Sequence, residues 1–190
     1  MQATSKNPHR SRLFPRSRNE DKIPIRGVYQ RFIISSLALQ LSSMTKRALA
    51  KLLAREFGVP MRSAYEHVMR ELNDCLIPDG IVEIANTIPS DRGPRIYQTK
   101  GIPCYRLSRI GLLIAVALDE ISIDERKKIL QRFLASENTL TQAFIERGVK
   151  EEILDHLQDY PQFTLEHVEK GVSQFLEGKL KHPLNIFLRD

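Results

Sequence analysis

The sequence predicts a mainly α-helical chain with one small β-hairpin, an α+β arrangement, followed by an all-α C-terminal region. Three observations predict it. Apolar residues recur at helical spacing from residue 28 to residue 75 and again from residue 122 to residue 175. Between these segments, two short β-prone runs, residues 81 to 84 and 104 to 108, flank a stretch rich in proline and glycine. Charge also changes sign along the chain. Residues 1 to 26 hold seven Lys or Arg against two Asp or Glu, residues 27 to 118 hold twelve against seven, and residues 119 to 190 hold ten against fourteen. The expected organisation is therefore a basic arm (1 to 26), a basic domain (27 to 118) and an acidic helical domain (119 to 190).

The arm has three prolines, scattered arginines and few large apolar residues, too little to offset the entropy of ordering. Val28, Phe32, Ile33, Leu37 and Leu41 then fall on one face of a first helix. Thr45 suits the N-cap of a second, in which Leu49, Leu52, Leu53 and Phe57 share a face. Gly58 fits the left-handed position just past its end, and Pro60 the start of a third helix reaching about Cys75. Met61, Ala64, Val68, Leu72 and Cys75 cluster on the inner face of that third helix. Arg62, Ser63, Glu66 and Arg70 lie opposite, with Tyr65 and His67 on the flanks.

Pro78-Asp79-Gly80 is a turn signal. Residues 86 to 103 read as irregular, broken by Pro89, Gly93, Pro94, Gly101 and Pro103, and carry Arg92, Arg95 and Lys100. Residues 110 to 118 form an apolar helix. In the acidic end, Ser122 with Glu125 is a capping box before Ile129, Leu130, Phe133 and Leu134. Further helices are expected at residues 139 to 147 and 149 to 160, the latter stopped by Pro161. Thr164 suits the cap of a last helix carrying Leu165, Val168, Val172 and Phe175.

The segment LAKLLAREFGVPMRSAYEHVMREL resembles the helix-turn-helix of winged-helix DNA-binding proteins, of the kind found in prokaryotic and archaeal transcription regulators. Leu53, Ala54, Gly58, Val59, Ala64, Tyr65, Val68 and Leu72 stand where that superfamily has its leucine-alanine, glycine-valine and tyrosine-leucine positions. Pro60 replaces a common capping serine. GIVEI, the breaker-rich loop and GIPCYRLSRIG resemble the hairpin wing and its frequent ending. The resemblance covers residues 27 to 118 and implies sequence-specific binding of double-stranded DNA, with transcription regulation as the expected role. It places the third helix in the major groove, where Arg62 would read guanine or clamp a phosphate, and Ser63 and His67 would bond a phosphate or base edge. Tyr65 would stack on the backbone or cover the core rim, Arg70 would meet phosphate, and Glu66 would accept from cytosine or orient an arginine. Arg92, Arg95 and Lys100 would lie over the adjacent minor groove or backbone. These charged residues also suit a merely solvated face. A protein–protein adaptor on the same fold is the alternative, and RNA binding a third.

Other classes are excluded or left without support by the residues. Apolar residues make up 42% and charged residues 27%, which sets the chain apart from disordered or fibrous classes. Its apolar runs fall short of the ~18 to 20 residues of a membrane span. The basic N-terminus lacks the apolar core of a secretory signal, so a cytoplasmic location with Cys75 and Cys104 reduced is expected. No C-x-x-C pair, phosphate-cradling glycine loop or nucleophile with a placed base occurs, so no metal, no cofactor and no enzymatic activity are expected. A C-terminal domain of this size makes a marginal core. Residues 110 to 118 and the Leu165, Val168, Val172, Phe175 stripe need cover within the chain or across a two-fold axis. A homodimer through the C-terminal region would place two third helices about one DNA turn apart.

Overall fold

The computed structural model describes residues 25–40, 43–135 and 148–188. The predicted arm up to residue 24, Leu41 and the helix expected at residues 139 to 147 lie outside the described residues. The chain is mainly helical with a small three-stranded antiparallel sheet among the described residues, and it divides into two compact units between Ser108 and Arg109.

In the first unit, α1 (Ile25–Leu39) buries Tyr29, Gln30, Ile33, Ile34, Leu37 and Ala38. The buried stripe is thus turned slightly from the predicted one. Val28 and Phe32 sit half-buried at its edge, because the rings of Tyr29 and Phe32 both pack edge-on against Phe57 at 5.1 and 5.3 Å. β1 (Met44–Thr45) leads into α2 (Lys46–Phe57), whose cap is the predicted Thr45: its hydroxyl accepts from the Ala48 N–H at 3.2 Å. Gly58 ends α2 at φ 61, a left-handed conformation that costs a residue with a Cβ about 1 to 2 kcal/mol.

Pro60 at φ −56 and ψ 141 opens α3 (Met61–Glu71), which buries Ala64, Val68 and Glu71. Met61 was expected on the inner face but is 40% exposed, since it lies in the first turn, beyond the reach of the core. The third helix does not continue regularly to Cys75. Residues Leu72–Leu76 form a π turn, with Ile77 N–H bonded to Leu72 O at 3.0 Å, and this widened turn buries Leu72, Cys75 and Leu76 together.

β2 (Val82–Ile88), α4 (Arg95–Lys100) and β3 (Ile102–Leu107) follow. The sheet order is β1-β3-β2, antiparallel throughout, with a bulge between Ile84 and Asn86. The expectation of an irregular segment from 86 to 103 is corrected at both ends. Thr87 pairs with Pro103 and Ile88 with Ile102, so the ladder extends β2 past the bulge. Beyond it, Pro94 opens a short helix whose side chains supply local bonds: Gln98 donates to Gly93 O at 2.8 Å, and the Thr99 hydroxyl to Arg95 O at 3.2 Å.

The second unit contains α5 (Arg109–Val116), α6 (Ile123–Ala135), α7 (Val149–Asp159), α8 (Pro161–Leu176) and a 3-10 turn (Pro183–Leu188). The helix predicted at 110 to 118 packs here, against α6 and α8. Ser122 caps α6 as expected, its hydroxyl accepting from the Glu125 N–H at 3.4 Å. Pro161 does not merely stop a helix; it occupies the first turn of α8, where no N–H is needed. Thr164 is consequently inside α8, buried, its hydroxyl donating to Tyr160 O at 3.0 Å. The stripe of Leu165, Val168, Val172 and Phe175 is buried within this unit. α8 and the 3-10 turn approach closely at Gly171, where a Cβ would overlap the carbonyl oxygen of Pro183. No helix among the described residues is long and apolar enough to cross a membrane.

Candidate nucleic-acid interface

The tight turn at Gly58–Pro60 fixes α3 on α2 by its inner face and leaves an outer face exposed. Arg62 is 91% exposed and, among the described residues, pairs with Glu66, one helical turn on, at 3.2 Å. Such a surface pair contributes about 0.3 to 0.5 kcal/mol, so the guanidinium is released to another acceptor at little cost. Ser63 is half-buried and Glu66 exposed. His67 and Arg70 are placed differently. The His67 ring lies 4.8 Å from that of Tyr29 on α1, and Arg70 Nη2 is 2.9 Å from His67 Nδ1. Arg70 also reaches Glu71 at 3.4 Å. Both side chains therefore lean back toward α1, while Arg62 stands at the free end of α3.

Behind α3 lies a buried polar cluster. The Glu71 side chain is fully buried. Its carboxylate accepts from Arg26 Nε at 2.9 Å, Arg26 Nη2 at 3.3 Å and the Gln30 amide at 2.8 Å. The hydrogen bond to Glu71 holds the Arg26 guanidinium still more firmly in its charged form. Two residues of α1 thus grip the last turn of α3, and this sets how α3 is presented.

Tyr65, on the flank of α3, joins it to the hairpin. Tyr65, Arg92, Tyr97 and Pro103 line one open cleft of about 460 Å³ together with Lys46 and Arg47 from the start of α2. Burial pushes the Tyr65 phenol above its usual value, and the neighbouring Tyr97 hydroxyl adds to this. Burial likewise raises the Tyr105 phenol. Lys46 Nζ sits 5.6 Å from the Tyr105 ring centre and donates to Asn73 at 2.9 Å, and burial holds its ammonium below the usual lysine value. Arg95 and Lys100, at opposite ends of α4, are exposed and outside the cleft lining.

Of the residues singled out from the sequence, Arg62, Ser63, Tyr65 and Glu66 stand on one stretch of α3, and Arg92 meets Tyr65 at the cleft. Lys46, Arg47 and Tyr97 were missed. The signal was present, since two basic residues directly follow the Thr45 cap, but nothing in the sequence pairs that cap with the β2–β3 connection more than forty residues away. Among the described residues no His, Cys, Asp and Glu group is arranged to hold a metal ion. Cys75 and Cys104 are free and buried, and burial raises the Cys75 thiol. No family model matches the chain, and neither a curated protein nor a solved structure matches it.

Proposed function

We propose that the first unit is a winged helix that binds double-stranded DNA, with α3 in the major groove and the β2–β3 hairpin against the neighbouring backbone, and that the protein acts in transcription regulation. One observation carries the reading. The exposed end of α3, the start of α2 and the hairpin meet around a single cleft through Tyr65, Lys46, Arg47 and Arg92. Three cations from two separate elements, α2 and the hairpin, suit a phosphate backbone, and Arg62 on α3 extends the series toward base edges. Glu66 and Asp91 are the acidic residues nearby in sequence, and Glu66 is engaged by Arg62.

The test is titration of labelled genomic duplex fragments at rising salt. Affinity should fall linearly in log–log form, because each phosphate contact releases counterions. Arg62→Ala should cost about 1 to 3 kcal/mol and relax sequence preference, whereas Arg92→Ala and Arg95→Ala should weaken all sequences alike. Absence of duplex binding at low salt overturns the reading. It would then favour an adaptor role, to which the exposed Ile84, Ile88 and Ile96 of the hairpin segment are suited.

A further inference from the structure

The cleft between α2, α3 and the hairpin, whose cations the duplex reading turns toward phosphate, also has an aromatic wall that a paired duplex does not use. Its volume of about 460 Å³ falls in the range of small-molecule sites, ~300 to 1,000 Å³. Its walls are the side chains of Tyr65 and Tyr97, with Ile102 and Pro103. Lys46, Arg47 and Arg92 are its charged residues, and none of the lining residues is acidic. Lys46 donates to the neutral Asn73 amide oxygen and lies over the Tyr105 ring, and among the described residues no carboxylate pairs with its half-buried charge. A ligand that fits must therefore be anionic at one end and flat and apolar at the other.

We propose that this cleft binds one nucleoside phosphate unit, its base against Tyr65 and Tyr97 and its phosphate among Lys46, Arg47 and Arg92. Aromatic side chains accept any base by stacking, because every base has a π face. Three cations from two chain segments surround a phosphate from more than one side, as a single surface lysine cannot. The same chemistry has two sources: a free nucleotide acting as an effector, or an unpaired nucleotide of a nucleic-acid strand. The inference goes beyond duplex binding and does not depend on it, since the cleft can fill whether or not α3 enters a groove.

The experiment is calorimetric titration of the full chain with each of the four nucleoside 5′-monophosphates, with the matching nucleosides and with inorganic phosphate. In parallel, a fully paired duplex is compared with the same duplex carrying one unpaired central nucleotide. At least one monophosphate should bind saturably at one per chain, with its nucleoside and inorganic phosphate each about ten-fold weaker or more. Tyr97→Leu and Arg92→Ala, both on the hairpin and away from the helical core, should each weaken that binding about ten-fold, the scale of one base stack. A preference for the bulged duplex without monophosphate binding assigns the site to a nucleotide within a strand, and the two variants should then abolish that preference. Inorganic phosphate binding as well as the nucleotides overturns the proposal, as does unchanged binding by Tyr97→Leu. So does failure of every monophosphate to bind at millimolar concentration together with equal affinity for the two duplexes. Loss of paired-duplex binding alone counts against the groove reading and leaves this one standing.

Discussion

Replacing Glu71 by alanine should loosen α3 from α1 more than any change on the exposed face of α3. Glu71 and Gln30 are both fully buried, and the Gln30 amide donates to Glu71 at 2.8 Å. Taking that acceptor from a buried donor costs about 1 to 3 kcal/mol. The guanidinium groups of Arg26 and Arg70 are on side chains 45% exposed. They can turn to water, so each of their pairs contributes only about 0 to 1 kcal/mol. Glu71→Ala is therefore placed at about 2 to 4 kcal/mol. Glu71→Gln keeps the volume and a neutral acceptor, and since charge-assisted bonds are roughly twice as strong as neutral ones, it should cost about half as much. Arg26→Ala leaves the buried carboxylate with Gln30 and Arg70 as partners and should cost about 1 to 3 kcal/mol. The assay is urea unfolding at neutral pH followed by tyrosine fluorescence. The chain has no tryptophan, and Tyr29, Tyr65, Tyr97 and Tyr105 all belong to the first unit, leaving Tyr160 as the one tyrosine of the second. A Glu71→Ala protein within about 0.5 kcal/mol of wild type would refute the view that this buried carboxylate seats α3.

Gly101 turns the chain from α4 into β3 at φ 77, and a Cβ there would meet Ile88 O and the Thr87 Cβ at 2.9 Å. Gly101→Ala should therefore distort the hairpin and lower duplex affinity several-fold while helical circular dichroism is kept; unchanged affinity would separate the hairpin from DNA binding. His182 accepts from the Leu184 N–H through Nδ1 at 3.2 Å, and burial, with the nearby Arg109 cation, holds its pKa below the ordinary ~6.5. The unfolded chain then takes up the proton first as pH falls, so the stabilising contribution of neutral His182 is complete above about 6.5 and is lost as pH falls toward its folded value. Urea midpoints of the wild type should drop over that range, and His182→Asn should flatten the drop; parallel pH profiles would count against it.

Local chemistry in the sequence was enough to place most of the helices. The Thr45 cap, the Gly58 turn and the Ser122–Glu125 box are signals in which a side chain or a missing Cβ satisfies backbone groups only a few residues away, so short windows carry them. The inner face of α3 was likewise legible at Ala64, Val68 and Leu72, because a 3.6-residue period marks whichever side is dry. Windows of that kind say little about partners distant in the chain. The strand at residues 86 to 88 forms because β3 offers it a ladder, against the breakers on its own side. The first turn of α8 includes Pro161 because a missing N–H is harmless there, and the same proline looks like a stop when read without its neighbours. Nothing in the sequence marks Glu71 as a core residue, and only the fold brings Arg26 and Gln30 within hydrogen-bond distance to make its burial tolerable. The cleft is the clearest case of tertiary decision. Its walls come from α2, α3 and the hairpin, and the sequence by itself determined the elements and their caps, while long-range packing alone decided that Tyr65 should meet Tyr97 beside Lys46 and Arg92.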